Sequence, residues 1–429
     1  MKISFIKTEL EPAGTRGDEK SDKRKGLYFS LMLLLILFNY SYRYIFQYND
    51  ETSSAFVYTD TPLPFKIAKY VILLILLVLM LINERGIVLE KRNWSIKLPA
   101  LFLLVQSALY GILIRDDKIL VFAMLLCPLF VYPNRGLPKE QTVEKILDFF
   151  WYYTTIYEII QVVLFYTTGR VPALAFPHRG TLMAVRYGGA FDDPNGYATV
   201  LIFYVFWFLL QKPGLKSIIR LVITLLMLVF TWSGTGFIAV LATALLFFLF
   251  RIKDKPVVRR FLIIGGAFAA VALLILLIKP DLYSSVFQYF VDGKGGSISG
   301  HLKSWDVSML DAGTWLGIHP VRSTWGEVGY VRLLEIGGIP SVLCFLVCSV
   351  FGLVKINRRI TAGKAESKPF LYGVLAYMIG FLVTMLNFPT VVNFDVMGLY
   401  MVCLVLAMIP DTSKPFICPI SKARSNRIQ

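Results

Sequence analysis

Two polar stretches, residues 168–193 and 279–326, hold all three histidines of the chain, His178, His301 and His319, together with Arg170, Arg179, Arg186, Lys294, Lys303 and Arg322. Imidazole and guanidinium groups gathered in this way suit proton transfer and the binding of anions. In "HRGTLMAVRYGG", Arg179 and Arg186 stand seven residues apart, two helical turns, so a helix there carries both on one face beside Leu182 and Met183. The spacing predicts an amphipathic helix lying on a membrane surface. A guanidinium fork donates two hydrogen bonds to one phosphate and never deprotonates, so Arg179 and Arg186 suit a diphosphate. The plain alternative for each is a solvated interfacial side chain that reaches toward headgroups. The following "FDDPNGY" reads as a helix start, with Asp193 as the N-cap and Pro194 at the first helical position. Asp192 and Asn195 have no such duty. A divalent-metal pair from Asp192 and Asp193 is disfavoured because adjacent residues rarely face the same way.

The second stretch, "KGGSISGHLKSWDVSML", predicts a glycine turn followed by a short helix on which His301 and Trp305 share a face. Trp305 offers a flat apolar surface for a sugar ring, or else belongs to the aromatic belt of a membrane interface. In "GIHPVRSTWGEVGYVRLLEIGGIP", Glu327 stands at the mouth of an apolar run, where an ionisable carboxylate serves as a general base. Arg332 and Glu335 are i,i+3 partners farther in, a pair that is costly unless it faces the interior or a wet cavity. Glu158, inside another apolar run, reads as a packing or ion-pair residue. The chain contains no Walker loop, dinucleotide fingerprint, zincin motif or nucleophile elbow. No metal or cofactor is expected.

The elements that position these residues follow from composition. Apolar residues make up 56% of the 429 positions and charged ones 17%, and the mean hydropathy is +0.64, which describes a polytopic membrane protein. The net charge of +16 could suggest nucleic acid, but the basic residues cluster in short stretches between apolar runs of membrane-spanning length. The charge therefore reads as orientation, and a nucleic-acid partner is excluded. Five cysteines, four of them inside apolar runs, suggest neither a disulfide nor a metal cluster.

Hydropathy predicts an all-α, polytopic bundle of about twelve spans, at 27–46, 65–83, 97–114, 117–132, 143–167, 194–211, 217–232, 234–251, 260–278, 327–354, 369–388 and 392–409. A basic tail, 1–26, and a C-terminal tail, 410–429, flank a single transmembrane domain, 27–409. No cleavage site precedes Tyr28, so the first run is expected to remain as a helix. Alternate loops carry Arg85, Lys91 and Arg92, then Arg135 and Lys139, then Lys212, Lys216 and Arg220, then Arg251 to Arg260, then Lys355 to Lys368, whereas Asp50, Glu51 and Asp60 mark the first loop of the other set. The positive-inside rule places the basic set and both termini in the cytoplasm. Segments 168–193 and 279–326, the latter a large loop between spans nine and ten, are then extracytoplasmic.

Taken together, "R..G.F.DPN" opening a span, "TWSGTG" between two central spans, a large outer loop with a basic residue ahead of a tryptophan, and "GYVRLLEIGGIP" resemble the O-antigen polymerase (Wzy) and O-antigen ligase superfamily over roughly residues 140–400. The resemblance implies a GT-C type glycosyltransferase of the bacterial cytoplasmic membrane. It would act at the outer face on undecaprenyl-diphosphate-linked glycans of an O-antigen, capsule or exopolysaccharide. It implies that Arg186 is the arginine ahead of the glycine-rich span opening, that His301 stands where the family has arginine, and that Glu327 holds the acidic or histidine position before the Y-x-x-L-L run. "SGTG" departs from the family's "SRG".

On this reading Arg179, Arg186 and Arg322 hold the departing diphosphate, His178, Trp305 and Arg332 complete the set that binds diphosphate and glycan, and Glu327 or His301 takes the acceptor proton. The implied partners are lipid-linked donor and acceptor glycans, the bilayer, a chain-length regulator and a flippase. A ligase shares the architecture. The modest outer loop and the absence of the usual histidine pair favour the polymerase. A flippase would show repeated halves and charges along a midplane path, and neither is visible in the sequence.

Overall fold

The computed structural model describes residues 6–7, 17–41, 63–84, 87–88, 93–131, 140–169, 175–177, 185–251, 253–263, 266, 305, 311–318, 328–362 and 368–409. Nearly all regular structure among them is helical: α1 (Gly17–Leu37), α2 (Leu63–Glu84), α3 (Trp94–Leu113), α4 (Asp117–Leu126), α5 (Pro128–Val131), α6 (Glu140–Thr168), α7 (Pro194–Leu210), α8 (Leu215–Phe230), α9 (Gly234–Arg251), α10 (255–263), α11 (Ala312–Trp315), α12 (Gly329–Ala362), α13 (Lys368–Thr384) and α14 (Phe394–Met408). Two short ribbons complete it. β1 (Ile6–Lys7) pairs in parallel with β2 (Ile87–Val88), and β3 (Ala175–Pro177) pairs antiparallel with β4 (Val185–Tyr187).

Three helices are long and apolar enough to cross a membrane, at 63–82, 94–113 and 329–362, and the shorter apolar helices at 26–37, 194–210, 234–249, 368–384 and 394–408 add to the membrane character. Helix α7 is apolar all round and almost every residue of it is buried, as are nearly all those of α13 and α14. These helices form the centre, with α13 packed along α7 and α9, and α14 against α1 and α12. A Cβ at Gly373 would lie 3.0 Å from the Phe203 carbonyl oxygen, and one at Gly380 would lie 2.6 Å from Ile202. Glycine at these two positions lets the α13 backbone come close to α7. The surrounding helices turn an apolar stripe outward. On α8 it is Ile218, Ile219, Val222, Leu226 and Val229, spaced at three and four residues, and on α12 it is Leu343, Val347, Val350 and Val354. Aliphatic side chains exposed with that period suit lipid contact.

Polar contacts between helices sort into two ends. At one, Arg220 Nη1 meets Asp148 Oδ1 at 2.7 Å, Arg359 pairs with Glu140, Tyr372 Oη donates to Asp254 Oδ2 at 2.8 Å, and Lys355 donates to Asn93. At the other, Lys66 pairs with Asp117, Tyr40 Oη donates to Asp192 Oδ2 at 2.6 Å, and Asn387 Nδ2 donates to Thr235 Oγ1 at 2.7 Å. The grouping follows the alternation of loops along the sequence.

Several expectations need correction. The run read as a surface helix, "RGTLMAVR", ends in strand β4, so Arg186 lies on a strand paired with Phe176; residues 178–184 lie outside the described ones. Val185 and Tyr187 are buried on either side of a half-buried Arg186, a period of two that seven-residue arithmetic on two arginines misses. Helix α1 begins at Gly17, inside the segment read as a tail. The run read as the fourth span is two helices, α4 and α5, meeting at Cys127 and Pro128, because proline lacks the N–H that a continuous helix uses. The ninth span lies largely outside the described residues.

Helix α12, in the run read as the tenth span, is broken by Gly337 and Gly338, the latter at φ +63° and ψ −162°. A Cβ at Gly338 would lie 2.3 Å from the Trp315 carbonyl oxygen and 2.5 Å from the Gly317 nitrogen, so the break seats the short helix α11 against α12. Gln106 Nε2 at 2.8 Å and Tyr110 Oη both donate to the Gly317 carbonyl, which ties the end of α11 to α3. Gly338→Ala is expected to destabilise by about 2–5 kcal/mol, from a glycine-only conformation and overpacking together. Gly214→Ala, where a Cβ meets nothing within 4 Å, is the comparison. Melting of the two detergent-solubilised variants checks this, and equal melting points would contradict it.

Candidate functional site

Arg186 stands where three elements meet. Its Nε donates to the Thr231 carbonyl oxygen at 3.0 Å, and its Nη2 donates to Asn195 Oδ1 at 2.9 Å. Ser233 Oγ donates to the same Asn195 oxygen at 2.7 Å and accepts from the Gly236 N–H at 3.0 Å, capping α9. The turn that brings Ser233 there places Trp232 at φ +47° and buries Thr231 and Ser233. The arginine is thus fixed by the first turn of α7 and by the α8–α9 turn. Of its five N–H donors, two meet described residues, and its Nη1 edge meets none of them. The helix N-termini of α7 and α9 lie beside it, adding partial positive charge.

The loop that carries Arg186 into α7 is held from beneath. Gly189 has φ +54°, and a Cβ there would lie 2.6 Å from both Thr154 and the Tyr197 ring, so only glycine fits. Thr154 Oγ1 accepts from the Ala190 N–H at 3.1 Å and donates to Tyr197 Oη at 3.2 Å, and Tyr197 Oη donates to Glu158 Oε2 at 3.0 Å. Glu158, 2% exposed, is thus engaged in holding the loop through the hydrogen bond that it accepts from Tyr197. Asp193 caps α7, accepting from the Asn195 N–H at 2.6 Å, with Pro194 at the first helical position as expected. Burial pushes the Asp193 carboxyl up from the ordinary carboxylate range, and the charge of Arg186 opposes the rise.

Asp192 turns the other way, to Tyr40. Around it lie Asp395, 2% exposed, and Lys69, 9% exposed, whose ammonium sits 4.6 Å from the Phe394 ring centroid and is attracted by both carboxylates. The two neighbouring aspartates thus serve different partners, and no group of three metal-ligating side chains occurs among the described residues. Trp305, 41% exposed, donates from Nε1 to the Leu386 carbonyl at 3.2 Å at this same end. Arg332 Nη1 and Glu335 Oε2 are 3.0 Å apart on α12, with the glutamate buried, so the pair faces the interior. His178, Arg179, His301, Arg322 and Glu327 lie outside the described residues.

Sequence reasoning missed Asn195 and Thr231 as partners of Arg186 and Ser233 as the second donor to Asn195, and missed Lys69 and Asp395 altogether. The available signal was a charge one or two turns inside an apolar run, which marks a bundle-facing position. No protein-family model matches the chain, and no curated protein matches it.

The raised carboxyl of Asp193 fixes a sign. A native value above the unfolded one means that the folded chain binds the extra proton more tightly, so stability falls as pH rises from the ordinary 3.8 through the native value. Asp193→Asn keeps an oxygen acceptor for the cap and removes the titration. Its melting temperature is expected to lose that decline and to exceed wild type above the window. A wild-type profile that rises over the same range would contradict the account.

Proposed function

We propose that this chain polymerises lipid-diphosphate-linked oligosaccharide repeat units at the outer face of the bacterial cytoplasmic membrane, as a multi-pass protein of about twelve spans with both termini cytoplasmic. The observation that carries the reading is Arg186, a half-buried arginine anchored through Nε and Nη2, whose Nη1 forms no hydrogen bond with a described residue and which has two helix N-termini beside it. A guanidinium held in this way is preorganised for a phosphate oxygen, so ordering it costs little when the ligand arrives. The surrounding aliphatic bundle suits a substrate whose anion is attached to a lipid.

In the proposed reaction an acceptor sugar hydroxyl attacks the anomeric carbon of the donor glycan. A new C–O bond forms as the bond between the anomeric carbon and the diphosphate oxygen breaks, and the hydroxyl proton passes to Glu327 or His301. The lipid diphosphate leaves with its charge balanced by Arg186, joined by Arg179 and Arg322. Trp305, held at this end of the bundle through Leu386, supplies a face for a sugar ring. Fixed charge aimed at a leaving group in a partly dry site contributes about 3–4 kcal/mol per donor, a factor of roughly 100 to 1,000 in rate.

Deletion in the native host and complementation at matched membrane levels test the proposal. Deletion is expected to leave single repeat units, Arg186→Ala to lower polymer at least about 100-fold, and Arg186→Lys to fail to restore it, since an ammonium lacks the planar fork. Long lipid-linked chains left unattached would identify a ligase. Repeat units trapped on the cytoplasmic side would identify a flippase. Full-length polymer from Arg186→Ala would remove Arg186 from the site.

A further inference from the structure

At the end of the bundle opposite Arg186 there is a cavity of about 730 Å³ between the C-terminus of α7, the N-terminus of α8, and α10. Lys255, Arg259 and Arg260 of α10 line it, together with the apolar side chains of Phe208 from α7, Leu221 from α8 and Ile263 from α10 itself. Arg260 has a structural duty: its Nη1 donates to the carbonyl oxygens of Leu210 at 2.5 Å and Gln211 at 2.8 Å, closing the last turn of α7. Lys255 and Arg259 are exposed and form no ion pair with a described residue. Elsewhere at this end, Arg220 and Arg359 are each neutralised by a carboxylate.

We propose that this cavity binds the phosphate headgroup of an anionic phospholipid from the adjoining leaflet. The charge calls for an anion, and the apolar wall excludes a fully hydrated one. Next to the cavity, Ile218, Leu262 and Ile263 are 54%, 65% and 60% exposed, giving the acyl chains an aliphatic surface that runs on from the headgroup site. Helix α7, with its 17 residues, separates this cavity from Arg186 by about 25 Å, so the lipid here is distinct from any substrate held by Arg186. Basic pockets between transmembrane helices at the positive side of a membrane recognise anionic headgroups by this combination. The proposal does not depend on the polymerase reading.

Native mass spectrometry of the full-length protein in detergent, titrated with phosphatidylglycerol or with phosphatidylcholine of the same chains, tests it. Wild type is expected to prefer phosphatidylglycerol, and the double variant Lys255→Gln, Arg259→Gln to bind it about 30-fold more weakly, with unchanged affinity for phosphatidylcholine. Swapping the two charges, Lys255→Arg with Arg259→Lys, keeps the preference, which separates lost charge from misfolding. Lys145→Gln with Arg358→Gln, two exposed basic residues at the same end, leaves it intact. Undiminished binding by the double-glutamine variant, or an equal loss in the Lys145 and Arg358 variant, would overturn the proposal. So would displacement of the lipid by inorganic phosphate at equal concentration, which would show a site for free anions.

Discussion

Inside a bilayer no water is available to satisfy a polar group, so each N–H, carbonyl or charge placed there must find its partner within the protein. The arrangement around Arg186 is a local answer to that demand. Asn195 accepts from the arginine and from Ser233, Thr231 offers its carbonyl, and Ser233 caps α9. Removing any one member would leave the others buried and short of a partner, at about 1–3 kcal/mol for each orphaned group. The cluster is consequently rigid.

The same demand organises the rest of the bundle. Glu158, Tyr197 and Thr154 hold the loop beneath Arg186 from within the core. Arg332 satisfies the buried Glu335 one turn along α12. Lys69 enters the bundle only because two aromatic rings and the charges of Asp395 and Asp192 receive it. Charges that have no interior partner sit at the two ends, and the helices between them present aliphatic stripes outward. The break at Gly337 and Gly338 obeys the rule as well, since the chain that fills it, α11, brings Gly317 to donors on α3.

Hydropathy made the helical bundle legible because burial in lipid demands long apolar runs whatever the tertiary contacts are. The cap at Asp193 and Pro194 was legible because capping is local chemistry. Arg186 stood out by residue type, but its setting did not: the alternation of a three-residue strand is too short to stand out in a sequence, and its pairing with Ala175–Pro177 comes from a segment eight or more residues away. The helix break at Gly337 and Gly338 was hidden for a related reason, since its cause is a close approach by residues 314–317. Asn195, read as having no duty, acquired one through Arg186, nine positions before it, and Ser233, 38 positions after it. Local signals report local forces, and the site is built from long-range ones.

The central claim is that an anchored arginine at one end of this bundle serves glycosyl transfer from a lipid diphosphate. The most direct measurement places the purified protein in proteoliposomes with a polyprenyl-diphosphate-linked repeat unit as the only substrate and follows the products by mass spectrometry. The account predicts a ladder of repeat-unit multiples, with one free polyprenyl diphosphate released for every linkage formed. A substrate that stays a single repeat unit on its carrier, even while it moves between leaflets, would contradict it.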